Sequence, residues 1–290
     1  MRTFSVVGGD KRNAALAEML YKQGHQVKLY GFVNYERELS MQCKNLEEAI
    51  ACADYIIGPI PCAHHGGTLN APFHNAPIFA QELFGLLKPH QIFMAGYMKP
   101  EIFAMAKAHN VRALDMLQRE ELLVANAIPT AEGAIKIAIE ETDITLHDNP
   151  MLIIGYGRIG SILAAMLRGM GARVCAVVNS KAAAARARSC GHEAVFFEDM
   201  EGRLAQAAVI FNTVPEILLD GGNMGHIDKK ALIIDLASPP YGVDVNASRA
   251  FGLKVLFATS LPGKIAPVTT AGYILDTVNY IIEEMEGGTI

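Results

Sequence analysis

The sequence predicts an α/β protein built from two doubly wound parallel-sheet domains, with a C-terminal helix that returns to the first. Three observations carry this. Apolar runs of strand length alternate with amphipathic runs of helical period along the whole chain. A strand, glycine turn, helix and second strand follow one another twice, over residues 3–30 and 151–178, as a right-handed parallel crossover requires. The chain is 290 residues long and 51% hydrophobic, enough for about two cores.

In order, residues 3–7 read as a strand, 8–10 as a glycine turn, 11–23 as a helix and 26–30 as a strand. The helix turns Ala15, Leu16, Met19 and Leu20 inward and stops at Gly24. This turn is not a nucleotide cradle, because Asp10 and Asn13 occupy the later glycine positions and Asp10 places a negative charge where phosphate would sit. A flavodoxin-like domain without nucleotide is expected. Helices at 46–52, 82–87 and 100–109 alternate with strands at 53–57, 91–95 and 111–115. Gly58, Pro59 and Pro61 force an irregular excursion over 58–72, after the carboxyl end of a strand, where α/β sheets place ligand contacts. It carries His64 and His65, candidates for carboxylate binding and proton transfer. A helix at 119–126 is expected to stop at Ile128-Pro129-Thr130, and a second, over 131–142, to connect the domains.

The apolar run Met151-Leu152-Ile153-Ile154 then leads into Gly155-Tyr156-Gly157-Arg158-Ile159-Gly160, a helix of period 3.6 and a strand at 173–178. Gly155 permits the tight turn, Gly157 the approach of a pyrophosphate and Gly160 close helix–strand packing, so this is a dinucleotide fingerprint in its proper context. The second domain is therefore a Rossmann NAD(P)-binding domain. Strands at 194–197, 209–212, 232–236 and 255–258 continue it, with helices at 182–187 and 199–207 and a last one at 268–286. Boundaries follow at 1–128 for a substrate or partner domain, 129–262 for the Rossmann domain, and 263–290 for a loop and helix packing back on the first.

Composition limits the function. A net charge of −5 without a basic cluster argues against nucleic acid. No run approaches ~18 consecutive apolar residues, so no membrane span is expected. Five scattered cysteines without metal spacing read as reduced thiols, and residues 1–7 run straight into a strand rather than a signal peptide. A cytoplasmic protein is expected, without a bound metal.

An NAD site expects Asp or Glu about 20 residues past the glycines, holding the ribose hydroxyls. Here Asn179, Ser180 and Lys181 stand there, and Lys181 or Arg186 can neutralise a 2′-phosphate, so NADP is expected, with NAD the alternative. The expected cofactor residues are Gly155, Tyr156, Gly157, Arg158, Ile159 and Gly160, then Asn179, Ser180 and Lys181, then Thr213, Val214 and Pro215 after the fourth Rossmann strand.

Gly8-Gly9-Asp10 with Arg12, residues 127–133 (Ala-Ile-Pro-Thr-Ala-Glu-Gly), the fingerprint, Asp235-Leu236-Ala237-Ser238, and Leu261-Pro262-Gly263 through Ala266-Pro267 to Ala271-Gly272 together resemble the dipicolinate synthase A-subunit family. The motifs keep their order and span nearly the whole chain. The resemblance implies the mother cell of a spore-forming bacterium and the branch leaving lysine synthesis at dihydrodipicolinate. It also implies oxidation to pyridine-2,6-dicarboxylate and a flavoprotein-like partner, the B-subunit of dipicolinate synthase. A dicarboxylate substrate needs cationic, hydroxyl or helix-terminal donors, for which Thr130, Lys264, Thr269, Thr270 and His64 are the candidates. Glu132, Lys264 and His65 are the catalytic candidates, with Glu132 or a histidine taking the proton. Two alternatives stay open: a nucleotide- and substrate-binding subunit without its own catalysis, and another two-domain NADP dehydrogenase of shikimate or 2-hydroxy-acid type. Homo-oligomerisation is left open.

Overall fold

The computed structural model describes residues 1–287 except 38 and 40, and only the backbone of His65. The chain divides into two units, Met1–Ala125 with Ala266–Ile290, and Asn126–Ile265.

The first unit runs β1 (Thr3–Val7), α1 (Lys11–Lys22), β2 (Gln26–Tyr30), α2 (Leu46–Ile50), β3 (Tyr55–Ile57), α3 (Ala80–Leu86), β4 (Ile92–Ala95), α4 (Pro100–Ala108) and β5 (Arg112–Asp115). Its five strands are parallel in the order β2-β1-β3-β4-β5, the flavodoxin-like order expected. Asp10 caps α1 by accepting from Arg12 N at 2.9 Å, and its carboxylate also pairs with the buried Arg12 guanidinium at 2.8 Å. The acid that excluded a phosphate from this turn is thus used within the turn itself.

α5 (Glu120–Glu141) follows, then β6 (Pro150–Ile154), α6 (Arg158–Gly169), β7 (Arg173–Val178), α7 (Lys181–Ser189), β8 (Glu193–Phe196), α8 (Glu201–Leu204), β9 (Val209–Asn212), β10 (Leu232–Asp235), α9 (Val245–Phe251), β11 (Lys254–Phe257), α10 (Leu261–Ile265) and α11 (Pro267–Glu286). The six parallel strands lie in the order β11-β10-β9-β6-β7-β8, so the winding reverses between β6 and β9. That switch point is where doubly wound sheets open a crevice at the carboxyl ends of their strands. α6 buries Leu163, Ala164 and Leu167 against β6 and β7, each large side chain contributing about 1.5–3 kcal/mol. α11 belongs to the first unit, where Ala271, Ile274, Leu275 and Val278 join Leu16, Ala17 and Leu20 of α1 in one core, as the return of the last helix requires.

Two local expectations are corrected. The helix expected to break at Pro129 runs unbroken through it as α5. The proline leaves the Ala125 carbonyl without its i+4 backbone donor, but Ala131, Ala134 and Ala138 bury the next turns in the Rossmann core. Tertiary burial overrides the ~3 kcal/mol a helix-interior proline costs. α5 is long and apolar enough to cross a membrane by composition alone, yet half of that window is buried within the protein. Likewise, the 263–290 segment, expected to open on a loop, begins instead within the short helix α10.

The thiols make a direct check of this packing. Burial pushes Cys62 up to about 12 and Cys175 up to about 11, whereas Cys52 and Cys190 are exposed. The raised values suppress thiolate, the reactive form. In the native protein at about pH 8 a maleimide is expected to label Cys52 and Cys190 first, and Cys62 and Cys175 only after denaturation. Mass mapping of labelled peptides reads the order.

Candidate functional site

The fingerprint turn is shaped by what its glycines lack. Gly155 has φ +95°, a left-handed conformation that disfavours a side chain. A Cβ there would press on Thr213 Oγ1 and lie 2.8 Å from Val214 Cγ2. A Cβ on Gly160 would run into the Gly155 carbonyl, so the start of α6 sits directly on the turn. Gly157 differs. Its φ is −92°, and a Cβ there would meet nothing within 4 Å. Its missing side chain serves no packing need and leaves open space at the head of α6. Among the described residues no side chain caps that helix end, so its first-turn N–H groups and positive dipole end suit an anion.

Around this turn lies a cleft of about 280 Å³. One side is lined by Asn179, Ser180, Ala183 and Arg186 at β7 and α7, with Phe197 beyond β8, and the other by Thr213, Val214 and Pro215 after β9. Gly155, Tyr156 and Gly157 line it between them. None of these lining residues is a carboxylate. The Ser180 hydroxyl accepts from Ala183 N at 3.2 Å to cap α7, which leaves its proton available to an acceptor in the cleft. Burial, followed by a hydrogen bond with Cys190, raises the Tyr156 phenol to about 12 and keeps it neutral. The glycine cradle and its open face fit a dinucleotide.

Eight of the twelve residues expected at the cofactor line this cleft; Arg158, Ile159, Gly160 and Lys181 do not. Lys181 is exposed at the first turn of α7. Arg186, read from the sequence only as an alternative counter-charge, is in the wall, and Phe197 was not anticipated. A signal for Arg186 existed: residues 180, 183 and 186 are three apart and share one face of a helix.

The substrate candidates fall in several places. Thr130 is buried inside α5, not at a helix N-terminus, and its hydroxyl is given to Asn126 O. The expectation that Thr130 offers a donor at the start of a helix is therefore corrected. Glu132 is exposed on the same helix. Lys264 Nζ donates to Thr259 O at 2.9 Å from an exposed position on α10. Gly133 joins these two segments, because a Cβ there would sit 2.9 Å from Ile265 Cγ1 and 3.1 Å from Leu261 Cδ1. Thr269 and Thr270 lie in the first turn of α11, Thr269 exposed and Thr270 buried. In the first unit His64 is exposed and lines a cavity of about 270 Å³ with Thr68, Asn70 and His74. The side chain of His65 lies outside the described residues.

Comparison with known proteins separates the two halves. Residues 127–250 match the NAD binding domain of D-isomer specific 2-hydroxyacid dehydrogenases. Residues 3–117 match the N-terminal domain of the dipicolinate synthase A-subunit. The dipicolinate synthase A-subunit of Bacillus subtilis (strain 168) is 26% identical over 97% of this chain and 96% of its own length. Along nearly its whole length the chain is therefore similar to the dipicolinate synthase A-subunit. The crystal structure of the family member from Bacillus halodurans superposes with a TM-score of 0.89 at 25% identity, covering 97% of both chains. The Bacillus subtilis structure gives 0.88 at 26% identity, over 99% of this chain and 97% of its own. These matches support a dehydrogenase-like protein whose second domain binds a nicotinamide dinucleotide.

Proposed function

We propose that this dipicolinate synthase homologue is an NADP-linked oxidoreductase that forms pyridine-2,6-dicarboxylate from dihydrodipicolinate during sporulation. It acts with a flavoprotein-like B-subunit at the branch leaving lysine synthesis. One observation supports the reading above the others. A Rossmann cleft serves many dehydrogenases, but the domain that accompanies it here matches the N-terminal domain of the dipicolinate synthase A-subunit.

The nicotinamide, when bound, supplies the hydride acceptor. Ring oxidation releases a hydride and a proton, and aromaticity supplies the driving force, so the chain needs to bind, orient and accept one proton. The open face at Gly157 and the first-turn N–H groups of α6 receive the pyrophosphate. Asn179, Ser180 and Arg186 receive the 2′-phosphate as donors in a wall without a carboxylate. Lys264, Thr269 and His64 are the donors for the two carboxylates and Glu132 or His65 the proton acceptor, whereas Thr270 is fully buried and drops out. Thr130 drops out, since its hydroxyl is already committed.

Lys264 has two ammonium protons beyond the one given to Thr259, enough for a carboxylate. With the B-subunit present, Lys264→Ala is expected to lower kcat/KM by about tenfold or more, the loss of a contact worth roughly 1.5–3 kcal/mol. Dinucleotide Kd should stay within about threefold. Unchanged turnover would make Lys264 a backbone tether only.

A further inference from the structure

The carboxyl ends of β9 and β10 hold a carboxylate and an amide that are fully excluded from solvent, Asp235 and Asn212. They are register partners across the two strands. Asp235 Oδ1 accepts from Asn212 Nδ2 at 2.8 Å and from Ala237 N at 3.0 Å, and Oδ2 accepts from Gly242 N at 2.8 Å. Asn212 in turn grips Val214 by both ends of its amide. Nδ2 donates to Val214 O at 2.9 Å, and Oδ1 accepts from Val214 N at 3.2 Å. The carboxylate sets the amide's orientation, since an acceptor-only group must face the NH₂. Gly242 is shaped to this arrangement: a Cβ there would overlap Asn212 Nδ2 and lie 2.7 Å from Val214 O.

A buried carboxylate is costly, and an apolar residue would join two strand ends without that desolvation. The carboxylate orders what an apolar residue cannot: the loop after β10, the Gly242 turn and the backbone of Val214. Val214 is part of the cleft wall and touches the fingerprint turn at Gly155. The strand order says which half of a dinucleotide it faces. Asn179, Ser180 and Arg186 mark the adenosine half at β7 and α7, so the nicotinamide half lies on the β9 and β10 side of β6.

We propose that Asp235 is a positioning residue which, through the Asn212 amide, holds Val214 as the wall for the nicotinamide riboside half of the cofactor. This rests on the dinucleotide reading of the cleft. Without the carboxylate, the Asn212 amide loses its reference and the Val214 backbone is free to shift. The adenosine half, held from β7 and α7, is untouched.

Asp235→Asn is nearly isosteric but turns an NH₂ toward one of three N–H donors. Calorimetric titration with NADPH and with 2′-phospho-ADP, which lacks the nicotinamide riboside, separates the halves. The variant is expected to bind NADPH about tenfold or more weakly, with 2′-phospho-ADP within about twofold of wild type. Asn212→Ala, which leaves Asp235 its two backbone donors, should show the same split and serves if Asp235→Asn does not fold. Variants that lose both ligands equally, or neither, make the pair a structural group and overturn the positioning role alone. A wild-type protein that binds neither NADPH nor NADH overturns the dinucleotide reading and this proposal with it.

Discussion

Gly157→Val is expected to weaken dinucleotide binding by on the order of 100-fold or more, about 2.7 kcal/mol, while the protein stays folded. The expectation follows from what surrounds the position. A side chain there enters open space, and its φ of −92° is one valine adopts. The folding cost is that of a poor N-cap, about 1 kcal/mol, or ~2–4 °C in Tm. Gly160→Val is the matched control, because its side chain would overlap the Gly155 carbonyl and must move the helix. It should lower Tm and binding together. Calorimetry with a nicotinamide dinucleotide and a thermal melt on both variants read the contrast. Unchanged affinity in Gly157→Val would mean the cleft is not the nucleotide site.

The second large effect concerns cofactor choice. The wild-type protein is expected to bind NADP(H) more tightly than NAD(H), and Arg186→Ala should remove most of the difference. The loss of a charge-assisted contact, roughly 1.5–3 kcal/mol, corresponds to about 10- to 150-fold for NADP(H), with NAD(H) within about threefold. Adding Asn179→Asp places a carboxylate where ribose hydroxyls are held in NAD sites and repels the phosphate, so the double variant should prefer NAD(H). Lys181→Ala should narrow the gap less, because Lys181 is outside the cleft wall. Titration of both nucleotides into each variant checks the order. Tighter NAD(H) binding by the wild-type protein would refute the assignment.

These two experiments fall on different kinds of sequence information. The glycine turn was legible because a pyrophosphate site uses contiguous residues in a fixed order between a strand and a helix. The strands Thr3–Val7, Gln26–Tyr30, Arg173–Val178 and Val209–Asn212 were readable to the residue, as compact apolar runs with clear turns around them. The doubly wound parallel class of both sheets followed from the alternation of elements and the fingerprint's position. Other features depended on tertiary context. Pro129 reads as a stop until the burial of Ala131, Ala134 and Ala138 is known. α9 escaped notice although Asp244 caps it through Asn246 N and Ala247 N and Gly252 ends it at φ +69°, because seven residues are too few to show a period. Arg186 needed the helical face of α7 as well as the loop residues before it. The Asp235–Asn212 pair joins residues 23 apart and is visible only once β9 and β10 are known to be neighbours in register.

The proposed activity is tested most directly by reconstitution. The purified chain is given NADP and a lysine-pathway precursor of dihydrodipicolinate, with and without the B-subunit, and nucleotide reduction and pyridine-2,6-dicarboxylate are followed together. The account predicts that the two products appear in equal amounts, that efficient formation needs both proteins, and that Gly157→Val in this chain abolishes both signals. Dicarboxylate formed by the B-subunit alone, or at an undiminished rate with the Gly157→Val variant, would contradict it and leave this protein with a binding role but no hydride transfer.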